Sequence, residues 1–360
     1  MKQIAPNTMV QSRYLVVQAI GKGGMGEVYL AVDQRLGSAV ALKRTKFEQD
    51  SPLMDAFERE ARILARLRHP VLPKVSDHFA DPDGQFLVME HISGDDLDKR
   101  LSTANKPFPV SWVMFWADQL LDALDYLHTQ EPQIVHRDIK PQNLKLTSRG
   151  QIILLDFGLA KGQAGEISRV TTSASIFGYT PNYAPLEQIQ GLGTDSRSDL
   201  YSLAATVYHL LTGVKPPDAL TRAAALVNGQ PDPLTPATAL NPAVAPEVSA
   251  VLQQAMAQNR EQRFASASDM RKALHRTEQT STVMSRGEAQ TILRPPGAAS
   301  TIAAASTQAV AHQPTVATGE TTIKTFCGWF TQTSTSMAFV RCSATYRGML
   351  RGRVLFYPAS

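Results

Sequence analysis

Residues 135–158, VHRDIKPQNLKLTSRGQIILLDFG, constrain this chain more than any other stretch. His136-Arg137-Asp138 opens it, Lys140 and Asn143 follow, and Asp156-Phe157-Gly158 closes it. A carboxylate, an amine, an amide and a second carboxylate thus fall within 21 residues. Leu144–Leu155 between them reads as a two-stranded ribbon turned at Ser148-Arg149-Gly150, which folds both ends to one edge. The four polar groups can then face a single cavity. A polar set of this kind suits the transfer of a charged group. One Asp accepts a proton, the Lys steadies negative charge, and the Asn and second Asp offer oxygens to a metal ion.

The stretch resembles the eukaryotic-like (Hanks-type) serine/threonine protein kinases, in their bacterial branch, over roughly residues 10–275. The family implies an α+β, two-lobed fold: a small β-rich lobe with one key helix over 14–92, and a larger helical lobe over 93–275. It implies ATP and Mg²⁺, with Mn²⁺ as an alternative ion, and protein substrates bearing Ser or Thr. By resemblance Asp138 is the general base, Lys140 and Thr180 support it, and Asn143 and Asp156 hold the metal. Lys140 two residues after Asp138 is similar to the serine/threonine class, and the His-Arg-Asp-x-Lys-Pro run sets the chain apart from aminoglycoside-type kinases.

Upstream, Tyr14–Ile20 and Val28–Val32 read as strands flanking Gly21-Lys22-Gly23-Gly24-Met25-Gly26. Glycines let a backbone approach phosphates more closely than side chains allow. The spacing Gly21-x-Gly23-x-x-Gly26-x-Val28 also suits a dinucleotide turn, but a strand follows it here instead of a helix. A plain glycine-rich hairpin is the other reading of the motif alone. Val40–Lys43 ends an apolar strand on an amine that needs a partner. The helix expected over Pro52–Arg68, with Phe57, Ala61, Leu64 and Ala65 on its apolar face, supplies Glu60, 17 residues after Lys43. Arg59, Arg62 and Arg66 on that helix form a stripe that is either a solvated face or a dock for a phosphorylated loop. By resemblance the nucleotide site comprises Ile20, Gly21, Lys22, Gly23, Gly24, Met25, Gly26, Glu27, Val28, Ala41 and Lys43. Phe86–Ile92 would end the small lobe, with Met89 as gatekeeper and the backbone of Glu90 and Ile92 at the adenine edge.

Ser111 reads as the cap of a helix to His128, with Val113, Trp116, Ala117, Leu120, Leu124 and Leu127 at helical spacing and its tryptophans in the core. His128 reads as a satisfied histidine. In the loop from Gly158 to Glu187, the family places autophosphorylation at Thr171 and Ser173; a Ser/Thr-rich flexible loop is the alternative. Also by resemblance, Asp199 at the start of Asp195–Thr212 ties down the backbone near His136, and Glu187 pairs with Arg263. Three positions depart from the pattern. Ala184-Pro185-Leu186-Glu187 replaces Ala-Pro-Glu, Ala204 replaces a glycine, and Lys145 stands where an aliphatic residue usually floors the adenine. The stem of Lys145 can pack there with its amine reaching water.

Residues 276–325 are rich in Thr, Ala, Ser and Gln and read as a disordered linker. Residues 326–360 regain aromatics and faintly resemble a zinc ribbon. Cys327 and Cys342 are the chain's two cysteines, too few for the four ligands of such a site. Eight Lys/Arg against three Asp/Glu in 276–360 leave 28 against 29 in 1–275, so the basic balance is in the tail and argues for no nucleic-acid partner. The absence of an 18-residue apolar run predicts no membrane span, and two cysteines fit a cytoplasmic setting. A homodimer for trans-autophosphorylation is a further expectation. Two other functions fit parts of the sequence: a catalytically weak nucleotide-binding pseudokinase scaffold, and a small-molecule phosphotransferase.

Overall fold

In the computed structural model the described residues are 3–23, 26–45, 52–82, 84–156 and 180–276. Gly24, Met25, Phe157, Gly158, Thr171, Ser173 and the segments 277–325 and 326–360 lie outside them, so the expectations placed there do too. The small lobe is a six-stranded antiparallel sheet in the order β1-β2-β3-β4-β6-β5. Its strands are β1 (Met9–Val10), β2 (Tyr14–Gly23), β3 (Gly26–Asp33), β4 (Ser38–Thr45), β5 (Val75–Asp81) and β6 (Gly84–Glu90), with α1 (Pro52–Leu64) inserted after β4. Residues 4–10 belong to this lobe. Ile4 and Val10 are buried with Tyr14, Tyr29, Leu42, Phe79 and Phe86 in a small core of their own.

The register explains why one sheet carries two faces. Val28 pairs with Lys43 and Leu30 with Ala41, while Glu27 pairs with Arg44 and Tyr29 with Leu42. Alternation therefore sends Val28, Ala41 and Lys43 to one face and Glu27, Tyr29, Leu42 and Arg44 to the other. The first face joins the large core through Ala41, Leu87 and Met89. The second is closed over by the small core.

The large lobe begins with α2 (Leu97–Ala104) and α3 (Val110–His128), then a 3₁₀ turn at Pro141–Asn143 and the ribbon β7 (Leu144–Leu146) and β8 (Ile152–Leu154). The ribbon pairs Leu144 with Leu154 and turns at Gly150, whose φ is +78°. Then come α4 (Leu186–Ile189), α5 (Ser196–Thr212), α6 (Ala219–Val227), α7 (Ala237–Leu240), α8 (Pro246–Ala255) and a last helix over 267–276. The α5 helix is buried on all sides from Ser198 to Thr212, as befits the axis of the lobe. Asp195 and Ser198 close its N-terminus reciprocally, and Gly213 ends it at φ +73°. Two expectations for α3 are corrected. Pro109, not Ser111, occupies its N-cap. Trp116 is buried, but Trp112 is 56% exposed, because the apolar stripe of this helix is narrower than its apolar content.

Candidate active site

The ribbon does what its sequence predicts. The Leu155 N–H donates to Asn143 O at 2.8 Å, which brings Asn143 beside the strand end that leads to Asp156. The His136 ring contacts Leu155 O at 3.2 Å through Nε2 and is wholly buried. Burial holds its pKa below the ordinary imidazole value despite nearby carboxylates. Beneath it, Asp199 of α5 accepts the N–H groups of His136 and Arg137, both at 2.8 Å, and meets His128 Nε2 at 2.9 Å. Asp199 is fully buried; burial alone would raise its carboxyl, but His128 and the backbone donors hold it lowered. The expected tie between Asp199 and the His136 backbone is present. His128 is only partly satisfied by the same carboxylate, since its buried Nδ1 has no hydrogen-bond partner among the described residues.

Asp138 stands on this platform. Its carboxylate accepts from Lys140 Nζ at 3.2 Å and from Asn143 Nδ2 at 3.0 Å. Asn143 Nδ2 also donates to Asp138 O at 2.7 Å, so one amide fixes both the backbone and the side chain of Asp138. Lys140 Nζ reaches Thr180 Oγ1 at 3.0 Å, joining the segment after the central loop to the same cluster. Arg137 and Asp156 are held at φ +66° and +55°, conformations that side-chain-bearing residues seldom adopt. Such strain concentrates where function requires a particular aim.

From the small lobe, Lys43 Nζ contacts Asp156 Oδ1 at 3.0 Å. This is the partner described for Lys43; α1 carries Glu60, whose side chain lies outside the described ones. Ala41 faces Met89 across the β4–β6 pair, so two residues expected at the nucleotide are neighbours. Ala41, Met89 and Ile92 are buried, whereas Ile20 is 41% exposed at the rim.

The glycine-rich stretch is more divided than its spacing suggests. A Cβ at Gly26, where φ is +155°, would lie 2.0 Å from Arg44 O, so the fold itself demands glycine there. A Cβ at Gly21 would meet only Val28, at 3.6 Å, an ordinary contact. Nothing in the described fold requires Gly21 to be glycine. Glu27 does not line the nucleotide side, contrary to expectation. It is buried on the opposite face, where its carboxylate accepts from Tyr29 Oη and from Arg44 at 2.5 Å. The period-two pattern could have revealed this, since Glu27 lies one residue from Val28 and Arg44 one residue from Lys43.

Two further groups were missed or misplaced by sequence reasoning. The Lys145 amine does not simply reach water; it donates to the Ile92 carbonyl of the hinge at 3.1 Å. Burial lowers its pKa, with Asp96 and Asp95 opposing the shift. Gln188 Nε2 donates to Arg137 O at 2.9 Å and Arg137 Nε to Thr194 Oγ1 at 2.8 Å, clamping the loop that carries Asp138. No sequence spacing marks these long-range contacts. The predicted staple is present: Arg263 grips Glu187 with two nitrogens at 2.6 and 3.0 Å, and Ser198 Oγ adds a bond at 2.8 Å.

A curled sheet and a helical lobe, with two carboxylates, two lysines and an asparagine converging between them, define a protein kinase. The protein kinase domain family matches residues 14–276, and the chain belongs to that family. Over 268 residues it is 36% identical to a probable serine/threonine-protein kinase of Streptomyces coelicolor, covering 72% of this chain and 39% of that one. Over 276 residues it is 35% identical to serine/threonine-protein kinase PknB of Mycolicibacterium smegmatis, covering 74% and 43%. The chain thus spans about two fifths of the length of the curated relatives it matches. The crystal structure of the Mycobacterium tuberculosis PknI kinase domain superposes with a TM-score of 0.60 at 28% identity, over 77% of this chain and all of that one. The bacterial Hanks-type resemblance and the two-lobed α+β fold both hold. Family membership implies ATP and a divalent metal. Among the described residues no helix is long and apolar enough to cross a membrane.

Proposed function

We propose that this chain transfers the γ-phosphoryl group of ATP to Ser or Thr hydroxyls of protein substrates, from a catalytic unit spanning about residues 14–275. The observation that carries the reading is the Asp138 carboxylate held between Lys140 and Asn143, with Thr180 on the same lysine. In this reading Asp138 takes the proton of the incoming hydroxyl, and Asn143 fixes its aim. The Lys140 ammonium donates to Asp138 and faces the charge that develops on the transferred group. Thr180 restrains Lys140 and borders the acceptor segment. Lys43 holds the α- and β-phosphates, with Glu60 to restrain it once the nucleotide draws it from Asp156.

The donor set fits a hard divalent ion, Mg²⁺ first and Mn²⁺ as an alternative. Asp156 offers a carboxylate, and the Asn143 amide turns its nitrogen to Asp138, which leaves its oxygen for the ion. When bound, such an ion neutralises charge on the β- and γ-phosphate oxygens. Among the described residues no group of three or more His, Cys, Asp or Glu could hold a metal.

Thr171 and Ser173 are the proposed autophosphorylation sites, with Arg137 as a cation for the phosphate. A homodimer for trans-phosphorylation and a cytoplasmic setting complete the proposal. The pseudokinase reading gains no support, since the Lys, both Asp and the Asn are in place. The test is labelled ATP and Mg²⁺ with wild type beside Asp138→Asn. We expect kcat to fall about 10²–10⁴-fold with nucleotide affinity retained, and label on the wild type to include Thr171 or Ser173. Equal turnover in the two proteins would sink the assignment.

A further inference from the structure

Lys145 is the residue of the nucleotide site that the proposed chemistry leaves unused. It stands on β7, two residues beyond Asn143, at the position where the resemblance places the floor of the adenine site. There its ammonium donates to the Ile92 carbonyl at 3.1 Å. The acceptor it holds among the described residues is this carbonyl. The backbone of Lys145 is tied as well, bridged to Asp96 just past the hinge. Lysine stem and hinge are therefore fixed to each other from both ends.

The following step rests on the proposed reading and on the resemblance that puts the Ile92 backbone at the adenine edge, where we take its N–H to meet N1. That reading takes the hinge as extended at Ile92, and in extended backbone one residue's N–H and C=O face the same edge. The Ile92 carbonyl then faces C2 of the purine, the atom beside N1. Adenine carries only hydrogen at C2 and asks nothing of that carbonyl. A purine with an amino group at C2 would bring an N–H donor to an acceptor that already holds an ammonium. The carbonyl's second lone pair offers little relief, because a half-buried positive charge repels the amine hydrogens with little screening.

We infer that Lys145 is a specificity-determining residue that selects against 2-aminopurine nucleotides by occupying the hinge carbonyl of Ile92. ATP and 2-aminoadenosine triphosphate differ by this one amino group, so their ratio isolates the effect. In the full chain, the wild type should favour ATP by about tenfold or more in kcat/KM and in direct binding, the discrimination expected when a donor is left without its acceptor. Lys145→Met keeps the stem and removes the ammonium, and it should narrow the ratio to within about threefold. Lys145→Leu is the second variant, with the same expectation. General loosening of the cleft would weaken both nucleotides and leave the ratio unmoved. A wild-type ratio near one overturns the inference, as does a preference for ATP that persists in both variants. The wild-type ratio decides the first point even where neither variant folds. Failure of the wild type to bind ATP at all would instead overturn the nucleotide-site reading, and this inference with it.

Discussion

Two buried guanidinium–carboxylate pairs serve the two lobes differently. In the large lobe, Arg263 and Glu187 meet at 2.6 Å with side chains 0% and 8% exposed. In the small lobe, Arg44 and Glu27 meet at 2.5 Å with side chains 1% and 4% exposed. Each carboxylate takes one further hydroxyl, Ser198 in the first case and Tyr29 in the second. Each arginine lies near a tyrosine ring, at 4.9 Å from Tyr201 and 5.6 Å from Tyr29. The chemistry is the same and the setting is not. Glu187 lies in the first turn of a short helix and is locked to the start of α5, so its pair joins elements that all belong to one large core. Glu27 follows Gly26 directly and backs the hairpin proposed to cover phosphates. The difference teaches that a buried ion pair takes its functional meaning from what it adjoins, since its energetics alone do not distinguish the two.

The large-lobe pair should give the bigger loss of stability. Arg263→Ala leaves Glu187 as a buried charge with one hydroxyl, and unfolding stability should fall by about 3–5 kcal/mol. Denaturant melts would measure this, and a loss below 1 kcal/mol would break the comparison from that side. Arg44→Met should lower the melting temperature too, but its mark is kinetic. Glu27 then relaxes beside Gly26, and KM for ATP should rise roughly 3–10-fold with kcat moving less. An unchanged KM would make the small-lobe pair a staple like the other.

The glycines sharpen the contrast within that hairpin. Gly26→Ala forces a Cβ against Arg44 O and should destabilise the lobe with or without nucleotide. Gly21→Ala has room and should leave the apo melting temperature nearly unchanged, raising KM for ATP alone. Equal melting losses in the two variants would refute this division.

The smallest expected effect is a pH slope in the large lobe. Tyr183 Oη and His209 Nδ1 meet at 2.8 Å inside it, and burial pushes the His209 imidazole down to about 4, with Asp98 and Lys215 as the charges acting on it. The unfolded chain takes up a proton near pH 6.5 that the folded chain refuses until about pH 4. Stability contributed by neutral His209 is therefore complete above that window and is lost as pH falls through it. The melting temperature should drop between pH 7 and 5 less steeply in His209→Gln than in wild type. Identical slopes would remove His209 from the account.

The sequence was informative where a role depends on local order. His136 through Asp156 lie close along the chain, and the turn at Gly150 needs no distant partner to fold them together. The partnership of Glu187 with Arg263 was also legible, because the resemblance supplied a partner 76 residues away that spacing alone would not. Glu27 was misplaced because a motif names positions in a row, whereas strand alternation sends neighbours to opposite faces. Trp112 was misplaced because its helix carries more apolar residues than its stripe can bury.

By itself, then, the sequence determined the order of the proposed catalytic groups, the two-lobed α+β fold and the ribbon that gathers Asn143 and Asp156. Tertiary structure alone decided which face each small-lobe side chain occupies, that Gly26 is required by the Arg44 carbonyl, and that Lys145 reaches the hinge 53 residues away. The physical reason is range. Turns, caps and strand periods are written in contiguous residues, but a buried charge or a free donor takes whichever partner packing brings within about 3 Å, and packing is settled by the whole chain at once.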